Sequence, residues 1–361
     1  MSIKVVHWGT GTTGIKGLRG VLNHPELELV GLYVARPERE GVDAGEICGL
    51  GHVGVAATND VDALLAVDAD CLSYFGNGNV LGDSPEVVAA GVETVARFLR
   101  AGRNVVTPAI TSLVLPDWAL EEERRPIDEA CAIGNASFFA TGVEPGFASD
   151  VLPSALMAMV DEIRCVKVSE IANYGELQNA AMLQFFGFGR PVDEPVPLFA
   201  ESAPLESWSG VVHELAAELG YVLDDIKFIT EVSPVDEDVQ LEVALIEKGT
   251  IGAIRFELRG MVDGHPLAIL EHVNYVAPRA GVQWQDGTGG RSLVYRIEIQ
   301  GKPTYTCLLD VDLWGDDVSS SPAAMRTVNA IPMVQAAPPG ILGPTDVTIP
   351  PRGRRNVKLS D

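Results

Sequence analysis

The chain has 361 residues, of which 47% are hydrophobic, and this is enough for two domains with their own cores. Its 50 acidic and 26 basic side chains give a formal net charge of −24, which repels nucleic acids and anionic membranes. The five cysteines show no CxxC spacing, the six histidines form no HExxH pair, and neither a signal peptide nor a membrane-length apolar run is present. We therefore expect a cytoplasmic protein without a metal site, a nucleic-acid partner or a membrane partner.

A strand, a glycine turn and a helix are predicted at the start of the chain. Residues 3–8 form an apolar run, glycines follow at positions 9, 11 and 14, and a helical pattern covers 14–23. Gly9 permits a tight turn, Gly11 leaves room for a pyrophosphate, and Gly14 lets the helix pack close to the strand. The helix N-terminus offers unpaired N–H groups to phosphates. The motif predicts a dinucleotide site made of Gly9, Thr10, Gly11, Thr12, Thr13 and Gly14.

The second apolar run, residues 27–34, predicts a second parallel strand and bears on the choice of dinucleotide. Proteins specific for NAD usually carry an acidic residue at the end of this strand, which binds the ribose 2′-hydroxyl. Here Arg36 stands about 20 residues past the glycines, and Arg39 follows it. A guanidinium matches a 2′-phosphate because its planar fork forms charge-assisted hydrogen bonds. The sequence therefore predicts NADP(H) as the preferred cofactor, with NAD(H) possible.

The pattern of elements predicts an α/β fold with two domains. Through residue 150, further strand candidates alternate with helix candidates, which indicates a doubly wound parallel sheet in a Rossmann domain, residues 1–150. These strand candidates are 53–57, 70–75, 104–107 and 137–142, and the helix candidates are 60–66, 85–101 and 119–134.

A different pattern follows and predicts an α+β substrate and dimerisation domain, residues 151–330. Polar and apolar residues alternate in 255–259 and 295–299, as in the strands of an open-faced, largely antiparallel sheet. Strand candidates are 163–172, 239–247, 250–262, 266–277, 292–300 and 304–312, with helices at 176–186 and 208–219. The exposed face of this sheet is expected to be covered by the sheet or helices of a second copy, which predicts a homodimer. Residues 331–361 are rich in Pro and Gly and are predicted to be an extended C-terminal segment.

Ligands of parallel sheets bind beyond the carboxyl ends of the strands, where three segments besides the glycine turn should converge. Near the cofactor these supply Phe75, Gly76 and Asn77, and near the substrate they supply Tyr74, Thr107 and Phe147. The segments contain no Lys or Arg. Unless the second domain supplies a cation, the substrate is therefore expected to be a small molecule without a carboxylate beside the reacting carbon.

Glu144 is the one carboxylate in these strand-end segments and is the predicted catalytic residue. In a dry crevice beside a nicotinamide, a carboxylate stabilises an iminium cation or relays a proton. The alternative is a strand-end acid whose neighbour, Pro145, sets the turn. Phe185 and Phe188 form an aromatic cluster that is either core or the apolar wall of a substrate site.

With these motifs in place, the chain resembles the dihydrodipicolinate-reductase-like superfamily, and within it the branch of 2,4-diaminopentanoate dehydrogenases and native amine dehydrogenases. The resemblance is carried, in chain order, by the glycine turn, residues 43–46, 142–147, Glu170, 173–174, 187–189, 271–272 and 329–332. It implies an NAD(P)-dependent oxidoreductase with a Rossmann domain, an α+β domain and usually a homodimer, and it places Asn329 near the cofactor. Amine dehydrogenases reduce a ketone with ammonia to an amine, and catalyse the reverse reaction.

The chain departs from this family at the strand that ends near Thr107. Amine dehydrogenases carry there a Thr-Cys-Glu-Glu-like run whose glutamate acts on the iminium, whereas residues 107–111 here read Thr-Pro-Ala-Ile-Thr. Glu144 stands where relatives usually have Asn or His. The leading interpretation is amine dehydrogenase chemistry with Glu144 in the acid–base role. The alternatives are a carbonyl reductase, in which Tyr74 or Thr107 donates the proton, and a non-catalytic NADP-binding sensor.

Overall fold

The computed structural model describes residues 2–78, 84–176, 179–285, 291–312 and 320–347. These residues form two compact units. The first unit runs from the N-terminus to Val143 and resumes at Ser320, and the second runs from Glu144 to the gap before Ser320. Each unit contains one main β-sheet.

The first unit is built from alternating strands and helices. In chain order they are β1 (Ile3–Trp8), α1 (Thr12–Asn23), β2 (Leu27–Tyr33), α2 (Ala44–Cys48), β3 (Ala57–Thr58), α3 (Val61–Ala66), β4 (Cys71–Tyr74), α4 (Pro85–Arg100), β5 (Asn104–Thr107), α5 (Glu121–Gly134) and β6 (Ser137–Ala140). The central strands are apolar and buried, as expected for a parallel sheet with helices on its faces.

The second unit contains a six-stranded mixed sheet in the order β14-β13-β7-β12-β11-β8. Its elements are α6 (Val151–Met157), β7 (Glu162–Asn173), α7 (Ala180–Phe185), α8 (Ala203–Glu218), β8 (Asp225–Pro234), β9 (Val239–Gln240), β10 (Leu245–Ile246), β11 (Ile251–Val262), β12 (His265–Tyr275), β13 (Leu293–Lys302) and β14 (Tyr305–Val311). Strands β7 and β12 are parallel, and the other neighbours are antiparallel. The single strand predicted at 239–247 is wrong, because β9 and β10 form a separate small hairpin.

After the second unit the chain returns to the first. Helix α9 (Ser320–Ala336) packs against α1, and β15 (Gly340–Leu342) pairs with β6, so that the parallel sheet has the order β15-β6-β5-β4-β1-β2-β3. Buried α9 residues such as Val328 and Ile331 belong to the core of this sheet. The predicted placement of 320–330 in the second domain is therefore wrong, as is an extended chain at 331–336. Residues 348–361 of the predicted tail lie outside the described residues.

The sheet of the second unit has two different faces. Helix α8 packs against β11 and β12 on one face. On the other face Glu257 and Glu271 are buried among cations: Lys167 Nζ lies 2.9 Å from Glu271, and Arg255 Nε donates to the same carboxylate at 2.7 Å. The alternation at 255–259 thus reflects a face of mutually paired charges rather than of solvated side chains. The homodimer stays a prediction. In the part of the chain that the structure describes, no helix is long and apolar enough to span a bilayer.

Candidate functional site

The three glycines of the first turn have different roles in the structure. A Cβ on Gly9, whose φ is +100°, would lie 2.4 Å from the Phe75 carbonyl oxygen, and a Cβ on Gly14 would lie 2.4 Å from the Gly9 carbonyl oxygen. A Cβ on Gly11 would meet nothing within 4 Å. Gly9 and Gly14 are therefore required by the packing of the chain itself, whereas the space beside Gly11 is open to a ligand.

The N-terminus of helix α1 fits the pyrophosphate of a dinucleotide. Gly11 is the N-cap residue and supplies no side-chain cap, and the first helical hydrogen bond runs from Ile15 N to Gly11 O at 2.9 Å. No side chain of the N-cap residue therefore binds the N–H groups of the first turn, and the space beside Gly11 is open. The helix dipole favours negative charge at this end of the helix. A nicotinamide dinucleotide supplies hydride transfer when bound. Binding by the predicted turn residues stays a prediction.

A buried histidine braces this turn and was missed by the sequence analysis. His7 lies on β1, and its Nε2 is 2.9 Å from Gly14 O and 3.1 Å from Gly9 O. Burial lowers the pKa of His7 to about 4, so that the neutral ring donates its Nε2–H to these carbonyl oxygens. The only sequence signal was a polar residue inside an otherwise apolar strand.

The two arginines that follow β2 are placed differently. Arg39 Nη1 donates to the Thr10 carbonyl oxygen at 2.7 Å, which ties Arg39 to the glycine turn. Arg36 is exposed, in the extended segment that precedes a short 3₁₀ turn. The structure therefore brings Arg39 to the glycine turn and leaves Arg36 open to solvent.

The hydroxyl groups predicted near the substrate are engaged within the first unit. The Tyr74 hydroxyl donates to the Asn77 carbonyl oxygen at 2.6 Å, and Thr107 Oγ1 accepts from Ala109 N at 2.9 Å. Both contacts fix the loops that follow β4 and β5. The Tyr74 hydroxyl uses its proton in its contact, whereas the Thr107 hydroxyl only accepts in its own.

Helix α9 places polar side chains at the end of β6 that no local sequence motif predicts. Arg326 Nε donates to Thr141 Oγ1 at 2.8 Å, so a cation from outside the strand-end segments does lie at this strand end, which is the condition under which the sequence left a substrate carboxylate open. Asn329 lies on the same helix and is half-buried. Its predicted contact with the cofactor stays a prediction.

In the second unit a row of side chains crosses the sheet on the face that α8 covers. Phe256 of β11 pairs in register with His272 of β12, His272 with Glu170 of β7, and Glu170 with Tyr295 of β13. Residues paired in register point to the same face of a sheet, so these four side chains stand side by side. From α8, the Trp208 ring lies 4.8 Å from the His272 ring.

Glu144, Glu170 and His272 form a buried group that we call the carboxylate–imidazole cluster. His272 Nε2 lies 3.1 Å from Glu144 Oε2, and His272 Nδ1 lies 3.5 Å from Glu170 Oε1. Trp208 Nε1 donates to Glu144 Oε2 at 2.8 Å. The Glu144 side chain is 1% exposed, and its second oxygen, Oε1, has no hydrogen-bond partner. A buried carboxylate oxygen without a protein partner is a place where a ligand or a water molecule can bind.

The protonation of this cluster follows from its charges. Burial acts to lower the pKa of His272, but Glu144 and Glu170 outweigh it and raise that pKa to about 10. The cationic ring also stacks on Phe256 at 4.7 Å and an interplanar angle of 9°. Burial raises the pKa of Glu144, an effect that Glu170 adds to and His272 only partly offsets. At neutral pH the His272 ring is therefore a cation, and the neighbouring Glu144 holds a proton more readily than an exposed carboxyl group does.

Two carboxylates and an imidazole are also a donor set for a divalent cation, and their atoms lie within 4.8 Å of one another. However, each ring nitrogen of His272 lies within ion-pair distance of a carboxylate oxygen. The raised pKa of His272 favours a proton on the ring over a metal ion, which needs a neutral imidazole.

Aromatic rings lie beside the cluster. The Tyr174 ring is 5.0 Å from the ring of Phe186 and 6.4 Å from that of Phe188. Burial, together with the charges of Glu170 and Glu144, raises the pKa of Tyr174 well above its usual value. Of the predicted wall residues, Phe188 is buried in this aromatic group and Phe185 is half-buried at its margin.

The loop that carries Glu144 is held by its own hydrogen bonds. Glu144 follows β6 in the chain by four residues and begins the second unit. Gly146, with φ +143°, donates from its N–H to Ser149 Oγ at 3.1 Å, and Asp150 N donates to Gly146 O at 2.8 Å. Predicted Phe147 lies in the same turn and is half-buried.

A parallel sheet with this glycine turn, joined to an α+β unit that holds a buried acid–base group, defines a nicotinamide-dependent oxidoreductase. No model of a known protein family matches the chain. An amine dehydrogenase from Streptomyces virginiae is 33% identical to it, over 99% of this chain and 100% of that protein. The chain therefore belongs to the amine dehydrogenase family, and the resemblance found in the sequence is confirmed.

Solved structures confirm the fold. An amine dehydrogenase from Mycobacterium smegmatis superposes with a TM-score of 0.76 and 21% identity over 98% of each chain. A dipicolinate-bound dihydrodipicolinate reductase from Paenisporosarcina sp. TG-14 superposes with a TM-score of 0.50 and 13% identity, over 96% of this chain and 99% of that one. The predicted fold class is thus confirmed, and the protein is an NAD(P)-dependent oxidoreductase.

Proposed function

We propose that this oxidoreductase catalyses the reductive amination of a small, mostly apolar ketone and the reverse oxidative deamination. The observation that carries the proposal is the buried Glu144 carboxylate with its unpartnered Oε1. Glu144 and Glu170 can carry two negative charges, and the cationic His272 balances only one of them, which leaves one net negative charge. An ammonium or iminium cation beside Oε1 would balance that charge, whereas a neutral ketone alone would leave it uncompensated.

The residues of the cluster account for the proton steps of such a reaction. Ketone, ammonium and NADPH give neutral amine, NADP⁺ and water. Glu144 takes a proton from ammonium, which frees the nitrogen lone pair to form the C–N bond. A second proton passes from the bound nitrogen to the former carbonyl oxygen, and Glu144 then returns its proton to this hydroxyl group, which leaves as water. The ionised Glu144 stabilises the resulting iminium until hydride reaches its carbon. His272 remains a cation throughout and holds Glu144 in place.

NADP(H) is the cofactor that we propose. Arg36 follows β2 in the chain at the position where an acidic residue would favour NAD, and its guanidinium is exposed and available to a 2′-phosphate. Arg39 is already tied to the glycine turn through Thr10 and supplies a second positive charge nearby.

The test is NADPH oxidation with a panel of small ketones, with and without ammonium, by wild type and Glu144→Gln. We expect ammonium-dependent turnover that falls by roughly 10²- to 10⁴-fold in the variant, while cofactor affinity is unchanged. The matched control is Glu298→Gln, a half-exposed residue on the opposite face of the same sheet, with unchanged turnover. Prior treatment with EDTA should change nothing.

Other outcomes would contradict the proposal. Turnover that does not depend on ammonium would support a carbonyl reductase. Tight cofactor binding without turnover of any ketone would support a sensor protein. Normal turnover by Glu144→Gln would show that Glu144 only shapes the turn. Loss of activity in EDTA would show that the cluster binds a metal ion.

A further inference from the structure

A second buried polar group lies on the same sheet face as the cluster. Asn274 of β12 is 0% exposed, and neither its Oδ1 nor its Nδ2 has a hydrogen-bond partner. Burying an amide without partners is unfavourable, and buried side-chain amides are nearly always paired. The unpartnered amide of Asn274 therefore lowers the stability of the fold.

The position of Asn274 relates it to the cluster. It follows His272 by two residues on β12, so both side chains point to the same face, about 7 Å apart along the strand. Its register partners are Ile254 on β11 and Ala172 on β7, which have no polar side-chain atoms to offer. Asn274 thus lies on the sheet face that His272 shares, and His272 is the residue that Glu144 contacts.

We propose that Asn274 binds a second, uncharged polar group of the substrate, such as a hydroxyl or a carbonyl. The inference rests on the proposed function, because it places the amine nitrogen at Glu144. An amide offers two donors and one acceptor, which suits a neutral hydrogen-bonding group. A carboxylate in the same place would be repelled by the net negative charge of the cluster. The substrate class is therefore a hydroxy- or oxo-substituted ketone and its amine.

The test compares matched ligands that differ only in a terminal hydroxyl. Equilibrium binding to cofactor-loaded protein is measured by calorimetry for pentan-2-one and 5-hydroxypentan-2-one, and for 2-aminopentane and 4-aminopentan-1-ol. Wild type should bind the hydroxylated member of each pair about tenfold more tightly or better, because a site built for a hydroxyl rejects its analogue. Asn274→Leu should abolish this preference and retain affinity for the apolar members.

The thermal midpoint separates a ligand-binding role from a structural one. Asn274→Leu should raise the midpoint, because an unpartnered amide is replaced by an apolar side chain among apolar neighbours. A lowered midpoint with an unchanged hydroxyl preference would show that Asn274 is structural and would overturn the proposal. So would equal affinity of wild type for both members of each pair, a result that requires no variant.

The same measurements distinguish this proposal from the proposed function. Glu144→Gln should abolish the preference for amines over ketones and leave the hydroxyl preference intact. A hydroxyl preference that Asn274→Leu removes, without any effect of Glu144→Gln on amine binding, would support the role of Asn274 and contradict the role of Glu144.

Discussion

The glycine turn of the first unit and the carboxylate–imidazole cluster of the second unit are built in opposite ways. The turn presents backbone atoms of consecutive residues, and its glycines leave the backbone uncovered by side chains. The cluster consists of the side chains of Glu144, Glu170 and His272, which come from a loop and two strands far apart in the chain. Local geometry therefore determines the first site, and the register of a sheet determines the second.

The largest expected effect separates two roles of glycine within the turn. Gly11→Val should abolish binding of NADPH and leave the thermal midpoint nearly unchanged, because its Cβ meets only open space. Gly14→Val should lower the midpoint strongly, because its Cβ would lie 2.4 Å from the Gly9 carbonyl oxygen. Calorimetry and thermal unfolding on both variants check this. Binding at wild-type strength by Gly11→Val would contradict the placement of the pyrophosphate.

The contrast explains how much the sequence alone could predict. The parallel sheet and the glycine turn were predictable because a strand, three glycines and a helix are contiguous. Glu144 was found as a candidate because it follows a strand end. His272 was noticed only as part of a family motif, and its partnership with Glu170 was not predicted, since it depends on the parallel pairing of β7 with β12.

The errors in the prediction have the same origin. Helix α9 was assigned in part to the second unit because sequence order suggests it, whereas its buried residues Val328 and Ile331 pack with the sheet of the first unit. Arg326 reaches Thr141 from this helix, 185 positions along the chain. Strand β8 (Asp225–Pro234) was not predicted, because its residues are mostly half-exposed and lack a clear apolar face.

The second prediction concerns the two arginines near the turn. Arg36→Asp should weaken NADPH binding about tenfold or more and affect NADH little, because only NADPH loses a charge-assisted contact to the 2′-phosphate. Arg39→Ala should weaken both cofactors, because it removes the hydrogen bond that ties this segment to the Thr10 carbonyl. The dissociation constants of NADPH and NADH, measured for each variant, test these two roles. An equal loss, or none, in Arg36→Asp would contradict the assignment.

The smallest effect is a shift in pH dependence and tests whether the cluster acts as one unit. A base whose pKa is raised is protonated over a wider range, so kcat/KM for ammonium-dependent turnover should rise with pH as Glu144 ionises. His272→Gln removes the positive charge that favours ionised Glu144, and the rising limb should move to higher pH. Glu170→Gln removes a like charge, and the limb should move to lower pH.

The opposite directions of these two pH shifts distinguish a cluster of coupled charges from residues that only support the fold. At the pH where wild type has half its maximal kcat/KM, His272→Gln should be roughly three- to tenfold less active than at its own plateau, and Glu170→Gln should be near its plateau. Glu144→Gln should show no such limb, because it has no carboxyl proton to lose. Two variants that shift in the same direction, or not at all, would mean that His272 and Glu170 support the fold without tuning Glu144. The second unit would then, like the glycine turn, depend on geometry alone rather than on coupled charges.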